Sequence, residues 1–235
     1  MESLGDILRR IKDHGRTSAA IEDSPPAKCS ICRDTGFIGR ECAVGHPHFG
    51  KVYPCRCTWE HQGRPTFDSF RAANPAMADA RQQVINWADG MAPYLLTLAG
   101  QTGVGKTHLA EAAHLVLMRR GETVLFQTEA SVLTRIHSAM RPDAPFSVES
   151  VLSEVMTTPW LILDDLGVTA QGEWDRSQMD TLINVRWQGA QRRLHTLITT
   201  NLTGTDLPER MASRLRDTQW AKAVVIQAVD YRTGR

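Results

Sequence analysis

The chain has 235 residues, enough for one full domain and a smaller module. Hydrophobic residues make up 42% and charged residues 23%, an ordinary globular mix. The 27 Lys and Arg are balanced by 26 Asp and Glu, which excludes a global basic field and makes any nucleic-acid contact a local one.

The start, "MESLGDILRRIKDHG", is polar and amphipathic, unlike a secretory leader. Residues 3–13 are predicted to form a short helix with Leu4, Ile7, Leu8 and Ile11 on one face. "EDSPPAK" then breaks the chain. No apolar run reaches membrane-spanning length, so no membrane contact and a cytoplasmic location are expected. In that compartment the five cysteines stay reduced, and metal binding is a better reading than disulfides.

All five cysteines fall between residues 29 and 57. Cys29-x-x-Cys32 and Cys55-x-Cys57 are two pairs whose four thiolates suit a closed, structural Zn²⁺ site. "CSICRDTGFIG" has the look of a zinc knuckle, with Gly36 and Gly39 allowing the bend that follows. The C-x-C pair has a tight bite, so Cys42, His46 or His48 could replace one of its thiols. Zinc would supply folding energy to a segment with few apolar residues.

"GRPTFDSFR" reads as part of a linker over residues 63–75, with Phe67 and Phe70 as packing anchors. A helix is expected over 75–89. From residue 94 short apolar runs alternate with helical stretches. The runs are "YLLTLAG", "TVLFQT", "WLILDD", "HTLITTN" and "KAVVIQAV"; the helices are expected near 106–120, 129–140, 147–156, 174–192 and 205–216. Such alternation implies an α/β fold, a parallel five-stranded sheet flanked by helices. The expected organisation is a module over 1–62, the linker over 63–75, and a second domain over 76–235.

"GQTGVGKT" (100–107) satisfies G-x-x-x-x-G-K-[ST] between a strand and a helix. Its glycines let successive N–H groups converge on phosphate oxygens, and the helix N-terminus adds positive potential. The cradle is expected to comprise Gly100, Thr102, Gly103, Val104, Gly105, Lys106, Thr107 and His108. Lys106 can reach the β- and γ-phosphates of a nucleoside triphosphate, and Thr107 can give its hydroxyl to Mg²⁺. "WLILDDLG" places two carboxylates at the end of a buried strand, Asp164 for Mg²⁺ and Asp165 for the attacking water. Asn201, ending "LITTN", can touch that water or the γ-phosphate.

These pieces in this order resemble the AAA+ P-loop ATPases. More closely, "GQTGVGKTHLA", "LILDDLG", "TTN", "ERMASRLRD" and "VDYRTGR" resemble the DnaC/IstB-type branch, over residues 66–235. The resemblance implies ATP as the nucleotide. It implies that Arg214 is an arginine finger reaching a neighbouring subunit, and that Arg232 is a sensor arginine contacting nucleotide in its own chain. Most AAA+ members carry Asp-Glu where this chain has Asp164-Asp165, which implies slow, switch-like hydrolysis. The branch includes bacterial and phage helicase loaders, so the resemblance implies three partners: a DnaB-type replicative helicase, single-stranded DNA, and copies of the chain itself in a hexameric AAA+ assembly. "C-x-x-C-x-D-T-G" resembles the zinc-bearing N-terminal region of some loaders, which points to residues 1–62 as the helicase-gripping part. Arg135 and Arg141 are candidates for DNA contact. Two other readings stand beside the loader. One is an IstB-like transposition helper that binds duplex DNA and activates a transposase. The other is a zinc-dependent adaptor that binds nucleotide without turnover.

Overall fold

The computed structural model describes residues 29–33, 35, 37–39, 52–55, 57, 64–168, 172–202 and 207–228. The expected helix at 3–13, the alternative ligands Cys42, His46 and His48, and Arg232 lie outside these residues. The chain divides into two units, Met1–Cys57 and Thr58–Arg235.

In the first unit, β1 (Phe37–Gly39) and β2 (Val52–Pro54) pair antiparallel, with Ile38 opposite Tyr53. The first cysteine pair lies a few residues before β1, and the second begins directly after β2. Antiparallel pairing of these two strands therefore brings the two cysteine pairs to the same end.

The second unit runs α1 (Pro75–Ala88), β3 (Leu95–Gly100), α2 (Lys106–Arg120), β4 (Val124–Thr128), α3 (Glu129–Ala139), α4 (Val148–Thr157), β5 (Trp160–Leu166), α5 (Glu173–Ala190), β6 (His195–Thr200), α6 (Glu209–Leu215) and β7 (Ala221–Ile226). Its strands form one parallel sheet in the order β4-β5-β6-β3-β7. Alternate side chains of each strand enter opposite apolar layers, because the side-chain period of a strand is two. Leu96, Leu98, Ile162 and Leu197 pack with Trp87, Leu109 and Leu117 of α1 and α2. Leu95, Leu161, Leu163 and Ile198 pack with Ile136, Val155, Leu182 and Met211 of α3 to α6. Both faces are covered, which is why the strands read as nearly continuous apolar runs.

Helix ends follow local chemistry. Asn74 caps α1 by accepting the Met77 N–H at 2.9 Å, with Pro75 in the first turn. Thr128 and Ser131 form a reciprocal capping box at the start of α3. Gly121, left-handed at φ 74°, ends α2. The helix expected over 205–216 is observed over Glu209–Leu215, with Pro208, at φ −50° and ψ 135°, standing non-helical just before its first turn.

One buried cation pins the sheet at the ends of the strands away from the phosphate loop. Arg186 of α5 is fully buried. It donates to Thr196 Oγ1 at 2.8 Å, Met156 O at 3.1 Å, Thr158 O at 2.6 Å and His195 O at 2.6 Å. Burial pulls its guanidinium down to about 9. Arg186→Met should leave four buried oxygens without a donor and destabilise the domain by about 3–5 kcal/mol. The expected readout is a fall in Tm on the order of 10 °C. A Tm within a degree or two of the wild type would show that those oxygens find other donors.

Candidate nucleotide and metal sites

The parallel order gathers the C-terminal ends of β3, β5 and β6 side by side, where the strand order reverses around β3. β3 ends at Gly100 and turns through residues 101–105 into α2. Gly100 and Gly105 cannot carry a side chain there. A Cβ on Gly100 would meet Ile226 O at 2.5 Å, and one on Gly105, left-handed at φ 91°, would meet the Phe70 ring at 2.6 Å. No side chain caps α2, so its N-terminus presents backbone N–H groups rather than a satisfied cap.

This turn lines a cavity of about 430 Å³. Thr102, Gly103, Val104, Gly105, Lys106, Thr107 and His108 form one wall, Asp165 and Asn201 another, and Ser69, Phe70, Arg71 and Met77 a third. Lys106 is 5% exposed. Its ammonium donates to Gly100 O at 2.8 Å, Gln101 O at 2.8 Å and Asn201 Oδ1 at 2.6 Å. Lys106 and Asn201, 95 residues apart, are thereby brought into direct contact.

Thr107 Oγ1 donates to the Asp164 carboxylate, 3.2 Å from Oδ1 and 3.1 Å from Oδ2. Burial raises the Asp164 carboxyl above the usual range and the Asp165 charge adds to this, while bonds from Thr199 and Thr107 oppose it. A hydroxyl beside a buried carboxylate at the end of a phosphate loop fits a hard divalent cation such as Mg²⁺.

Asp165 reaches the cavity by a backbone device. Leu163 pairs with Ile198, but Leu166 rather than Asp165 pairs with Thr200, so β5 bulges by one residue. Asp165 takes the left-handed conformation, φ 56°, uncommon for a residue with a side chain. Two interactions hold this turn. Asp165 N–H donates to Thr199 Oγ1 at 3.0 Å, and Gly167 N–H donates to the buried Glu129 Oε2 at 3.1 Å.

The segment read as a linker forms part of the cavity. Phe70 is 5% exposed, lies beneath Gly105 and meets His108 edge-on at 5.3 Å. His108 Nε2 lies 2.9 Å from Thr66 O and 3.2 Å from Ser69 Oγ. Phe70 and His108 thus join residues 64–71 to the phosphate-loop helix.

Arg214 is not among the residues lining this cavity. It donates to Asn184 Oδ1 at 2.6 Å and to Arg210 O at 3.1 Å, and lies over the Trp187 ring at 5.3 Å. Of the DNA-contact candidates, Arg135 is paired with Glu154, and Arg141 is exposed.

Residues 80–227, well over half of the chain, match the family described as IstB-like ATP binding protein. The chain belongs to this family. This IstB-like ATP-binding protein has the AAA+ P-loop fold. It is 27% identical over 143 residues to the replicative helicase loader DnaC of Escherichia coli (strain K12), covering 60% of this chain and 57% of that protein. The chain therefore spans little more than half the length of that relative. It is 21% identical over 217 residues to the replicative helicase loader DnaC of Buchnera aphidicola, covering 92% of this chain and 81% of that one. The fold is shared with a crystal structure of the DnaC helicase loader, at a TM-score of 0.58 and 23% identity over 74% of this chain and 100% of that one. AMPPCP-bound DnaA from Aquifex aeolicus matches at a TM-score of 0.60 and 17% identity, over 72% of this chain and 52% of that one.

In the first unit Cys29, Cys32, Cys55 and Cys57 place their four sulfurs within 4.8 Å of one another. Cys29 and Cys55 Sγ are 3.6 Å apart, and Cys32 and Cys57 Sγ 3.3 Å. In a tetrahedron with bonds of about 2.3 Å the sulfurs lie about 3.8 Å apart, so the cluster fits Zn²⁺ with little adjustment. Arg33, left-handed at φ 51°, closes the knuckle, and its N–H donates to Cys29 O at 2.9 Å. Backbone N–H groups of Cys32 and Ile31 draw the Cys29 thiol down to about 6. The Cys57 thiol is pushed up by its bond with Cys32 and by burial. Among the described residues, no helix is long and apolar enough to cross a membrane.

Proposed function

We propose that this protein is an ATP-controlled loader that delivers a hexameric replicative helicase onto single-stranded DNA. The observation that carries the nucleotide part is the meeting of Lys106, Thr107, Asp164, Asp165 and Asn201 at one edge of the sheet. The loader part is supported by the likeness to two DnaC proteins.

In this reading the N–H groups of residues 100–107 cradle the phosphates, and Lys106 leaves its three oxygen partners to reach the β- and γ-phosphoryl groups. Thr107 and Asp164 hold Mg²⁺, which would neutralise charge on the phosphate oxygens. Asp165 orients the attacking water, and Asn201 meets that water or the γ-phosphate. The cavity end formed by Phe70, Met77 and Val104 takes the adenine ring. Aspartate is one methylene shorter than glutamate. The bulge in β5 brings Asp165 to the cavity wall, and its shorter side chain favours slow turnover suited to a timing switch. Arg214 acts on a neighbouring subunit's nucleotide, and Arg232 contacts its own. ATP binding holds the loading-competent assembly, and hydrolysis releases the loader.

The four-cysteine unit binds one Zn²⁺ and, with the rest of residues 1–62, grips the helicase. Metal analysis should find about one zinc per chain, and Cys29→Ser should lose it. A folded, zinc-free wild type would contradict the tetrahedral site. The function itself is tested by using the full chain as bait with ATP and Mg²⁺. Recovery of a hexameric helicase, and its transfer to single-stranded DNA, is expected. Recovery of a transposase instead would favour the transposition helper, a reading consistent with the IstB-like family match.

A further inference from the structure

We infer that Thr199 is a positioning residue for the ATPase reaction, its one hydroxyl holding Asp164 and Asp165 in a common register. This inference rests on the ATPase reading of the site. Thr199 lies on the central strand β6 and is 0% exposed. Because β5 bulges, two of its residues, Asp164 and Asp165, stand opposite this single threonine.

A bulge leaves a backbone group without its ladder partner. Here the Asp165 N–H finds the Thr199 Oγ1 at 3.0 Å. The same oxygen donates its proton to Asp164 Oδ1 at 2.5 Å. A hydroxyl can accept and donate at once, which neither a methyl group nor an ammonium does. Thr199 thus ties the carboxylate that faces Thr107 to the backbone that aims the next carboxylate at the cavity. The following residue repeats the pattern at the base of the turn. Thr200 Oγ1 donates to Leu166 O at 2.8 Å and accepts the Leu202 N–H at 3.0 Å. Together the two hydroxyls fasten the tip of β5 to β6 on both sides of Asp165.

The test compares Thr199→Val, which keeps the shape and loses the hydroxyl, with Thr199→Ser, which keeps the hydroxyl. In Thr199→Val, kcat should fall about 100-fold, the cost of misplacing reacting groups by about 1 Å, while KM for ATP changes by less than about threefold. In calorimetry, affinity for ATP in EDTA should match the wild type, whereas the gain on adding Mg²⁺ should shrink. Thr199→Ser should recover most of both properties. If valine does not fold, Thr199→Ala makes the same comparison without a methyl to clash.

Equal losses in kcat and in ATP affinity, or failure of serine to rescue, would overturn the positioning role. So would a wild-type kcat and an undiminished Mg²⁺ effect in Thr199→Val. A wild type that binds ATP but never hydrolyses it, with or without partner and DNA, would overturn the ATPase reading instead.

Discussion

Lys106→Ala should lower affinity for ATP–Mg²⁺ by one to two orders of magnitude and reduce turnover to background. The magnitude follows from charge and burial. A charge-assisted hydrogen bond contributes about 1.5–3 kcal/mol, or roughly 10- to 100-fold in binding. Lys106 sits 5% exposed at the first turn of α2, where water screens the ammonium weakly. Alanine also leaves Gly100 O, Gln101 O and Asn201 Oδ1 without the donor they share. Two of those oxygens belong to the turn that forms the cradle, so the cradle itself should loosen. Lys106→Arg separates these effects. It keeps the charge but brings a wide planar group to a point where three oxygens converge on one nitrogen, and it should not restore binding. Fluorescent-nucleotide titration and phosphate release measure both quantities. Unchanged binding in Lys106→Ala would refute the assigned cradle.

Arg214→Ala should leave ATP binding nearly intact and lower turnover on the order of 10³-fold, as for arginine fingers in comparable ATPases. Its guanidinium is placed away from its own cavity, tied to Asn184 and resting on Trp187. We propose that from there it serves a site on another subunit. The mixing experiment decides this. Lys106→Ala contributes an intact finger and a dead site; Arg214→Ala contributes an intact site and no finger. Neither hydrolyses ATP alone, and the mixture should regain part of the wild-type rate. No recovery on mixing, with both variants folded, would place the action of Arg214 within its own chain or remove it from catalysis.

The phosphate loop was legible in the sequence because its parts are contiguous and its chemistry tolerates few residue types. The Asp-Asp pair was legible for a related reason, since an apolar run ending in carboxylates delivers them to the rim of a parallel sheet. The strands and helices followed from alternation, and the structure moves most of their boundaries by only a residue or two. Other features depend on register between segments distant in the chain. Nothing in "LITTN" says that β5 bulges opposite Thr199, so the threonine before Thr200 read as an ordinary strand residue. Phe70 read as a packing anchor; only the fold shows that its ring occupies the space a Cβ on Gly105 would need. Arg186 lies mid-helix, where an arginine normally faces water. Its burial is visible only once α5 is laid across the starts of β5 and β6.

Nucleotide binding at the phosphate loop is tested most directly by a calorimetric titration of the full chain with ATP in the presence of Mg²⁺. One ATP per chain, bound more weakly in EDTA and lost in Lys106→Ala, is the predicted result. A wild type that releases no heat with millimolar ATP and Mg²⁺, and gains no thermal stability from them, would contradict it.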